Sequence, residues 1–220
     1  VISWPPPVRV RAAQAQDSTP GEAFDKLWAG AYGRCDMAQS GDTVEIPATG
    51  ERFVFLQTSA ETGGELLELE FHINPGGFSA RPHVHWDVEE RVKVVSGKVI
   101  LTISGEERVL GPGESAVVPM KQGHMVEVAG DEQAVFVVQV APARHFEELF
   151  ETIFGLYRDG KISADGRGNL LQDAVISRRH NSFLAGPPIF AQRPVLAVLA
   201  LVGWLFGFRA RYERYSGPDS

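Results

Sequence analysis

Four side chains of the types that bind metal ions lie in and after the stretch from Gly77 to Gly97. His83 and His85 are separated by one residue, and Glu90 follows them. Residues i and i+2 of a β-strand point to the same face, so both imidazoles can converge on one point. A carboxylate after a small bend, and His124 further along, can close on the same point. Neutral imidazoles and a carboxylate suit a divalent first-row metal such as iron, manganese, nickel, copper or zinc.

The frame around these side chains resembles the two motifs of the cupin superfamily. The first motif is a glycine, five residues, His-x-His, three or four residues, Glu, six residues and a glycine. Its fixed positions are matched by Gly77, His83, His85, Glu90 and Gly97. The second motif is a glycine, five residues, a proline, a short spacer and a histidine, matched by Gly113, Pro119 and His124. Two positions depart from the family: Lys121 replaces a usual glycine, and Val128 replaces a usual asparagine.

The resemblance covers roughly residues 44 to 141 and implies a mainly β fold, a double-stranded β-helix or jelly-roll-like barrel. It implies one divalent transition metal per chain, which is Fe, Mn, Ni, Cu or Zn, and no organic cofactor. The implied metal ligands are His83, His85, Glu90 and His124. Glu89 is the rival carboxylate, but the six-residue gap to Gly97 favours Glu90. Glu89 is then a solvated neighbour or a partner that orients an imidazole.

The amino-acid composition limits the classes of protein to which this chain can belong. The chain has 220 residues, enough for one domain with a full core and an appendage. Its net charge of −7, with no basic stripe in the first two-thirds, argues against a nucleic-acid partner. The single cysteine, Cys35, allows no intrachain disulfide, and no apolar run of signal-peptide length opens the sequence. We therefore predict a cytoplasmic protein.

The pattern of apolar residues divides the chain into three parts. Residues 1–20, with three consecutive prolines, are predicted to form a flexible arm. Residues 21–143 are predicted to form the barrel, preceded by a short helix over 22–33, because period-two runs alternate with Gly and Pro. Residues 144–220 are predicted to form a helical C-terminal extension. Its first helix carries an apolar stripe, and Asn169 is expected to cap the second.

The sequence does not fix the orientation of three residues near the predicted site. Gln139 interrupts the apolar strand VFVVQV and can point into the barrel or out to solvent. Trp86 and Asp87 follow the paired histidines, and they line the mouth of the cavity or lie exposed on the surface.

An apolar run from Pro194 to Phe208 dominates the extension. A transmembrane helix needs about twenty apolar residues, so the run is too short for one. It is predicted to lie against the barrel or across the interface of a homodimer. The alternative is weak contact of residues 187–214 with a membrane surface, since arginines flank the run.

The sequence is compatible with three classes of function. The first is a metal-dependent oxidoreductase of dioxygenase type that acts on a small organic molecule. The second is a non-oxidative metal enzyme: a lyase, isomerase or cyclase. The third is a metal-containing binding or sensing module without turnover. No separate nucleophile or catalytic triad is visible in the sequence, so no catalytic residue is assigned beyond the predicted ligands.

Overall fold

The computed structural model describes residues 38–46 and 49–216. The predicted arm over 1–20, the predicted helix over 22–33 and Cys35 lie outside these residues. The strands are β1 Thr43–Ile46, β2 Glu51–Gln57, β3 Leu67–Ile73, β4 His83–His85, β5 Glu89–Ser96, β6 Val99–Ile103, β7 Glu106–Leu110, β8 Ser115–Val118, β9 Gly123–Val128, β10 Ala134–Ala141 and β11 Ser182–Leu184. The helices are α1 Phe146–Arg158, α2 Leu170–Arg179, α3 Ile189–Leu205 and α4 Glu213–Ser216.

The strands form two antiparallel sheets, which confirms the predicted mainly β fold with a helical extension. One sheet has the order β1-β2-β3-β10-β5-β8, and the other has the order β11-β4-β9-β6-β7. Consecutive strands often lie in different sheets, as expected of a jelly-roll-like barrel. Along β5, Val92 and Val94 are fully buried between less buried neighbours, so one face of the strand lines the core.

The first helix of the extension completes the core of the barrel. Phe154 of α1 stacks on Phe53 of β2 with ring centroids 4.3 Å apart, and Phe150 meets Phe71 of β3 edge-on at 6.1 Å. The predicted apolar stripe of α1 is therefore present. Glu147 of α1 is buried as well. Its Oε2 accepts hydrogen bonds from the backbone N–H and hydroxyl of Ser59, at 2.5 and 2.6 Å.

The remainder of the extension adds a strand to the barrel. Asn169 caps α2 as predicted, since its Oδ1 accepts from the N–H of Leu171 at 2.9 Å. After α2, β11 joins the edge of the five-stranded sheet beside β4, and Ser182 pairs with His85. The extension is thus physically attached to the strand that carries two of the predicted ligands.

Helix α3 contains most of the apolar run but buries little of it. Only Ala200 and Gly203 are buried along its length. Gly203 packs on α2, where a Cβ would lie 2.8 Å from the carbonyl oxygen of Leu171. Burial of the run against the barrel, one of the predicted arrangements, is therefore wrong. Among the described residues no helix is long and apolar enough to cross a membrane.

Candidate metal centre

The two sheets bring the four predicted ligands together from opposite sides of the core. β4 and β9 pair in the five-stranded sheet, with His83 opposite His124, and strand alternation puts His85 on the same face as His83. Glu90 comes from β5 of the facing sheet. The ligand atoms of the four side chains all lie within 4.8 Å of one another. Among the described residues this is the one group of histidines, cysteines and carboxylates that could hold a metal ion.

The spacing between donor atoms fits a first-row ion. Nε2 of His83 and Nε2 of His85 are 2.9 Å apart. The two oxygens of Glu90 lie 3.0 Å from Nε2 of His85 and 3.1 Å from Nε2 of His124. Neighbouring ligands of an octahedral ion with metal–ligand distances of about 2.1 Å are separated by about 3.0 Å. Three imidazole nitrogens and one carboxylate therefore suit a divalent transition metal.

Three of the four candidate ligands are buried and the fourth is half-buried. His85, Glu90 and His124 are 5%, 7% and 3% exposed, whereas His83 is only half-buried. The ring of Phe146, at the start of α1, contacts His85 edge-on with centroids 4.8 Å apart. His83 is therefore the most accessible to solvent of the four side chains.

Two of the imidazoles are oriented by backbone carbonyls that lie just before their strands. Nδ1 of His83 donates to the carbonyl oxygen of Arg81 at 2.7 Å, and Nδ1 of His124 donates to that of Gln122 at 3.1 Å. A neutral imidazole that carries its proton on Nδ1 leaves Nε2 free to bind a metal. Within the described structure Nδ1 of His85 is buried and has no such partner.

Electrostatics keep the carboxylate ionised. Burial alone would raise the pKa of Glu90, but the adjacent His85 and His124 outweigh it and hold this pKa well below the ordinary value. Burial opposes protonation of His124, yet Glu90 raises its pKa. For His83, burial and then the neighbouring imidazoles keep the pKa well below the ordinary value. The cluster therefore offers an anionic ligand and a neutral imidazole at neutral pH.

The structure places Glu90 in the cluster and Glu89 outside it. Glu89 is adjacent on β5, so strand alternation turns it to the opposite face. Gln139 also points away from the cluster, because it pairs with Arg91 and Glu68 on the face opposite Glu90. Gln139 is nevertheless buried, at 7% exposed, so it points neither into the barrel nor out to solvent, and neither predicted orientation is present.

Trp86 and Asp87, which follow β4, are both half-buried and engaged by other residues. The Trp86 ring has the ammonium of Lys121 at 4.8 Å and the guanidinium of Arg193 at 4.7 Å. Oδ2 of Asp87 accepts from the side-chain amide of Asn181 at 3.2 Å. Both residues thus link the ligand strand to its surroundings, including the extension.

Two residues near the centre were not predicted from the sequence as part of it. Sequence periodicity places Phe146 only in the apolar stripe of its helix. His180, between α2 and β11, is 4% exposed, and its ring lies 6.1 Å from that of Phe146. Burial, followed by nearby Arg179, His145 and His85, lowers the pKa of His180 to about 3. No spacing motif marks His180, because only the tertiary fold brings it close to His85.

Comparison with known proteins supports the sequence resemblance. Residues 69–140 match the family model described as Cupin domain. No curated protein matches the chain.

Three similar solved structures each cover less than half of the chain. A sugar phosphate isomerase of a cupin superfamily from Silicibacter pomeroyi is 22% identical over 46% of this chain and 71% of its own, with a TM-score of 0.40. A putative sugar phosphate isomerase from Acidithiobacillus ferrooxidans is 27% identical over 43% of this chain and 61% of its own, with a TM-score of 0.38. KdgF from Halomonas sp. is 22% identical over 48% of this chain and 91% of its own, with a TM-score of 0.41.

Proposed function

We propose, from the premise that this chain belongs to the cupin superfamily through its barrel, that it is a metal-dependent enzyme for a small organic molecule. The observation that supports this most directly is the convergence of His83, His85, Glu90 and His124 within 4.8 Å. These residues would hold one divalent transition metal, which when bound supplies a Lewis acid and, if redox-active, a site for oxygen chemistry.

The remaining residues of the site would control access and orientation. Arg81 and Gln122 fix two of the imidazoles through their carbonyl oxygens. Phe146 closes the site behind His85. His83 is the least buried of the four residues, so a substrate would approach from its side. Four protein ligands on a six-coordinate ion leave two positions for that substrate, water or dioxygen.

The reaction we favour is oxidation of dioxygenase type, with iron, manganese, nickel or copper as the ion. The alternative is a lyase, isomerase or cyclase reaction, for which zinc suffices because it polarises a carbonyl or lowers the pKa of bound water. A binding or sensing module without turnover is the third candidate. We expect the protein to work in the cytoplasm, in keeping with its single cysteine.

Metal content tests the proposal first. Protein purified without chelator or affinity metal would be analysed by elemental mass spectrometry, beside Glu90→Gln and the matched control Glu89→Gln. We expect one metal ion per chain in the wild type and in Glu89→Gln, and at least a tenfold loss in Glu90→Gln, because the amide lacks the negative charge. A wild type without metal after reconstitution would overturn the proposal.

The identity of the ion then selects the assay. If the ion is iron, manganese, nickel or copper, oxygen uptake would be measured with phenols and diketones as substrates. Zinc alone favours the non-oxidative reaction. Failure of every metal form to turn over any substrate would leave the binding module.

A further inference from the structure

Helix α3 exposes an apolar surface that the described part of the chain does not cover. We define the α3 surface as the apolar side chains that are 56% to 81% exposed on this helix and its C-cap: Phe190, Val195, Val198, Leu201, Trp204, Leu205 and Phe206. Soluble monomers rarely expose a contiguous apolar patch of more than a few hundred Å². We therefore expect a binding partner to cover this surface.

The size of the α3 surface matches one side of a stable protein interface. The exposed area of its two phenylalanines, one tryptophan and four aliphatic side chains is on the order of 800 Å². A standard protein–protein interface buries about 800 Å² on each partner. Val198, Leu201 and Leu205 follow one another at spacings of three and four, so they form a continuous row. The opposite side of the helix is already packed on α2 through Gly203.

The two arginines that flank the apolar run argue against a membrane as the partner, because they are engaged within the chain. The guanidinium of Arg193 lies 4.7 Å from the centre of the Trp86 ring. Arg209 donates to the carbonyl oxygens of Trp204 and Phe208, at 2.9 and 2.8 Å. The chain carries a net charge of −7, and α3 lacks the broad charged face of helices that lie at membrane surfaces.

We propose that the α3 surface docks on the α3 surface of a second copy of this chain. A helix that is apolar nearly all round is normally buried. A two-fold axis that crosses the row at Val198 and Leu201 would pack each helix on its antiparallel equivalent. The same apolar patch would thus be covered on both subunits without any further component.

Sedimentation analysis of the full chain tests this proposal. A Val198→Glu/Leu201→Glu double variant would be compared with the wild type and with Val109→Glu, which alters an equally exposed valine on β7. We expect the wild type and Val109→Glu to sediment as dimers. The double variant should sediment as a monomer with an unchanged circular dichroism spectrum, because buried carboxylates oppose association.

Two results would overturn the proposal. A double variant that remains dimeric would place the interface elsewhere on the barrel. A monomeric wild type that co-sediments with phosphatidylserine-containing vesicles, and loses this binding in the double variant, would assign the α3 surface to a membrane.

A different observation supports a second inference, which rests on the proposed function. His85 lacks the outer hydrogen bond that His83 and His124 make, as its buried Nδ1 has no partner in the described structure. Ligand histidines almost always donate this second nitrogen to an acceptor. The two ring nitrogens of buried His180 likewise have no partner there.

The fold brings these two imidazoles to the same region. The backbone N–H of Trp86 donates to the carbonyl oxygen of Asn181 at 3.1 Å, so the residues after His85 and His180 are joined directly. The rings of His85 and His180 both meet the ring of Phe146 edge-on, with centroid distances of 4.8 and 6.1 Å. His180 stays neutral at physiological pH and so offers both an N–H donor and an acceptor nitrogen.

We infer that His180 is a positioning residue, which holds Nδ1–H of His85 through one shared water molecule and so directs Nε2 of His85 into the metal cluster. A buried water needs at least two polar partners, and the two imidazoles supply them. His180 would act on the ion only through His85.

Cobalt affinity tests the role of His180. His180→Phe and His180→Gln would be titrated with Co²⁺ against a chromophoric chelator, beside His145→Gln, which alters an exposed neighbouring histidine. We expect a 10- to 100-fold weaker affinity in His180→Phe, a smaller loss in His180→Gln and none in the control. The visible spectrum of bound Co²⁺ should also change in His180→Phe, which a purely structural role would not cause.

The outcomes separate this inference from the proposed function. If His180→Phe binds Co²⁺ with the affinity and spectrum of the wild type, only the role of His180 is overturned. If the wild type itself binds no Co²⁺, the proposed function fails, and the positioning role fails with it.

Discussion

Lys121 occupies a backbone conformation that usually belongs to glycine. Its φ is 67°, in the left-handed region, at the position where the cupin motif has a glycine. Its N–H donates to the carbonyl oxygen of His85 at 2.7 Å, which fixes the end of the ligand strand. Its ammonium lies 4.8 Å from the centre of the Trp86 ring. The family's turn is therefore kept here with a side chain that strains it.

A comparison of Lys121→Gly with Lys121→Ala isolates this strain. Both variants lose the contact with Trp86, but only glycine relieves the left-handed conformation. We expect Lys121→Gly to be about 1 kcal/mol more stable than Lys121→Ala in urea unfolding, after the entropy cost of glycine is included. Equal stability of the two variants would show that the position carries no strain.

His180 makes stability depend on pH in the acid range. Its pKa is about 3 in the folded chain and about 6.5 in an unfolded one. Between these values the unfolded state binds more protons, so the free energy of unfolding falls as pH falls. This loss is at most about 1.4 kcal/mol per pH unit and is absent above pH 6.5.

Metal-free wild type and His180→Phe should therefore differ in their acid response. We expect the free energy of unfolding to drop between pH 7 and pH 4.5 by roughly 2 kcal/mol more in the wild type. Urea titrations at both pH values, with chelator present, measure the difference. Parallel losses in the two proteins would mean that the fold does not lower the pKa of His180.

The predictability of the site differs from residue to residue. His83, His85, Glu90 and His124 could be predicted because their positions repeat a known spacing, and strand alternation turns the two paired histidines to one face. The choice of Glu90 over Glu89 followed from the same spacing. His180 could not be predicted, because its approach to His85 depends on pairing between β11 and β4, which are distant in the sequence.

Among the elements, the contact between α1 and the end of the chain is unusually close. Gly155 of α1 faces the ring of Tyr215, and a Cβ at this glycine would overlap that ring. The Tyr215 hydroxyl donates to Asp159 at 2.6 Å, just after the end of α1. The absence of a side chain at Gly155 is thus what allows α4 to seat on α1.

Gly155→Ala should reverse the usual effect of this substitution. In an exposed helix it stabilises by about 1 kcal/mol, but the overlap with Tyr215 should make it destabilising by about 2 kcal/mol. In a Tyr215→Ala background the same substitution should be neutral or stabilising. A double-mutant cycle in urea measures the coupling. Additive effects would contradict the contact.

The elements of the extension were predicted unevenly. The stripe of α1 and the cap of α2 follow from local sequence. The buried face of α2 does not follow from residue type, because Leu170 is 65% exposed whereas Gln172 is buried. β11 was missed, since three residues are too few to show an alternating pattern and its partner strand is remote.

At the scale of the whole molecule, the barrel and the extension share one core. The rings of Phe53 and Phe71 on the barrel pack on Phe154 and Phe150 of α1. The sequence predicted where the β pattern gives way to a helical one. It could not predict that the two parts share a core, because a change of period does not show which faces meet.

Truncation after Ala143 should therefore abolish cooperative folding. Loss of α1 exposes the aromatic rings of β2 and β3, so we expect aggregation or a broad, non-cooperative urea transition. Truncation after Ser216 is the matched control and should unfold as the full chain does. A cooperative transition in the shorter fragment would show that the barrel folds without its extension.

The pairing of β11 with β4 also sets an order of events during synthesis. β11 is made long after β4, at roughly 5–20 residues per second. Until β11 leaves the ribosome, β4 can pair only with β9, and the strand with His83 and His85 forms an open edge of its sheet. A nascent chain that already has His83, His85, Glu90 and His124 therefore still lacks the edge strand that completes the sheet beside two of them.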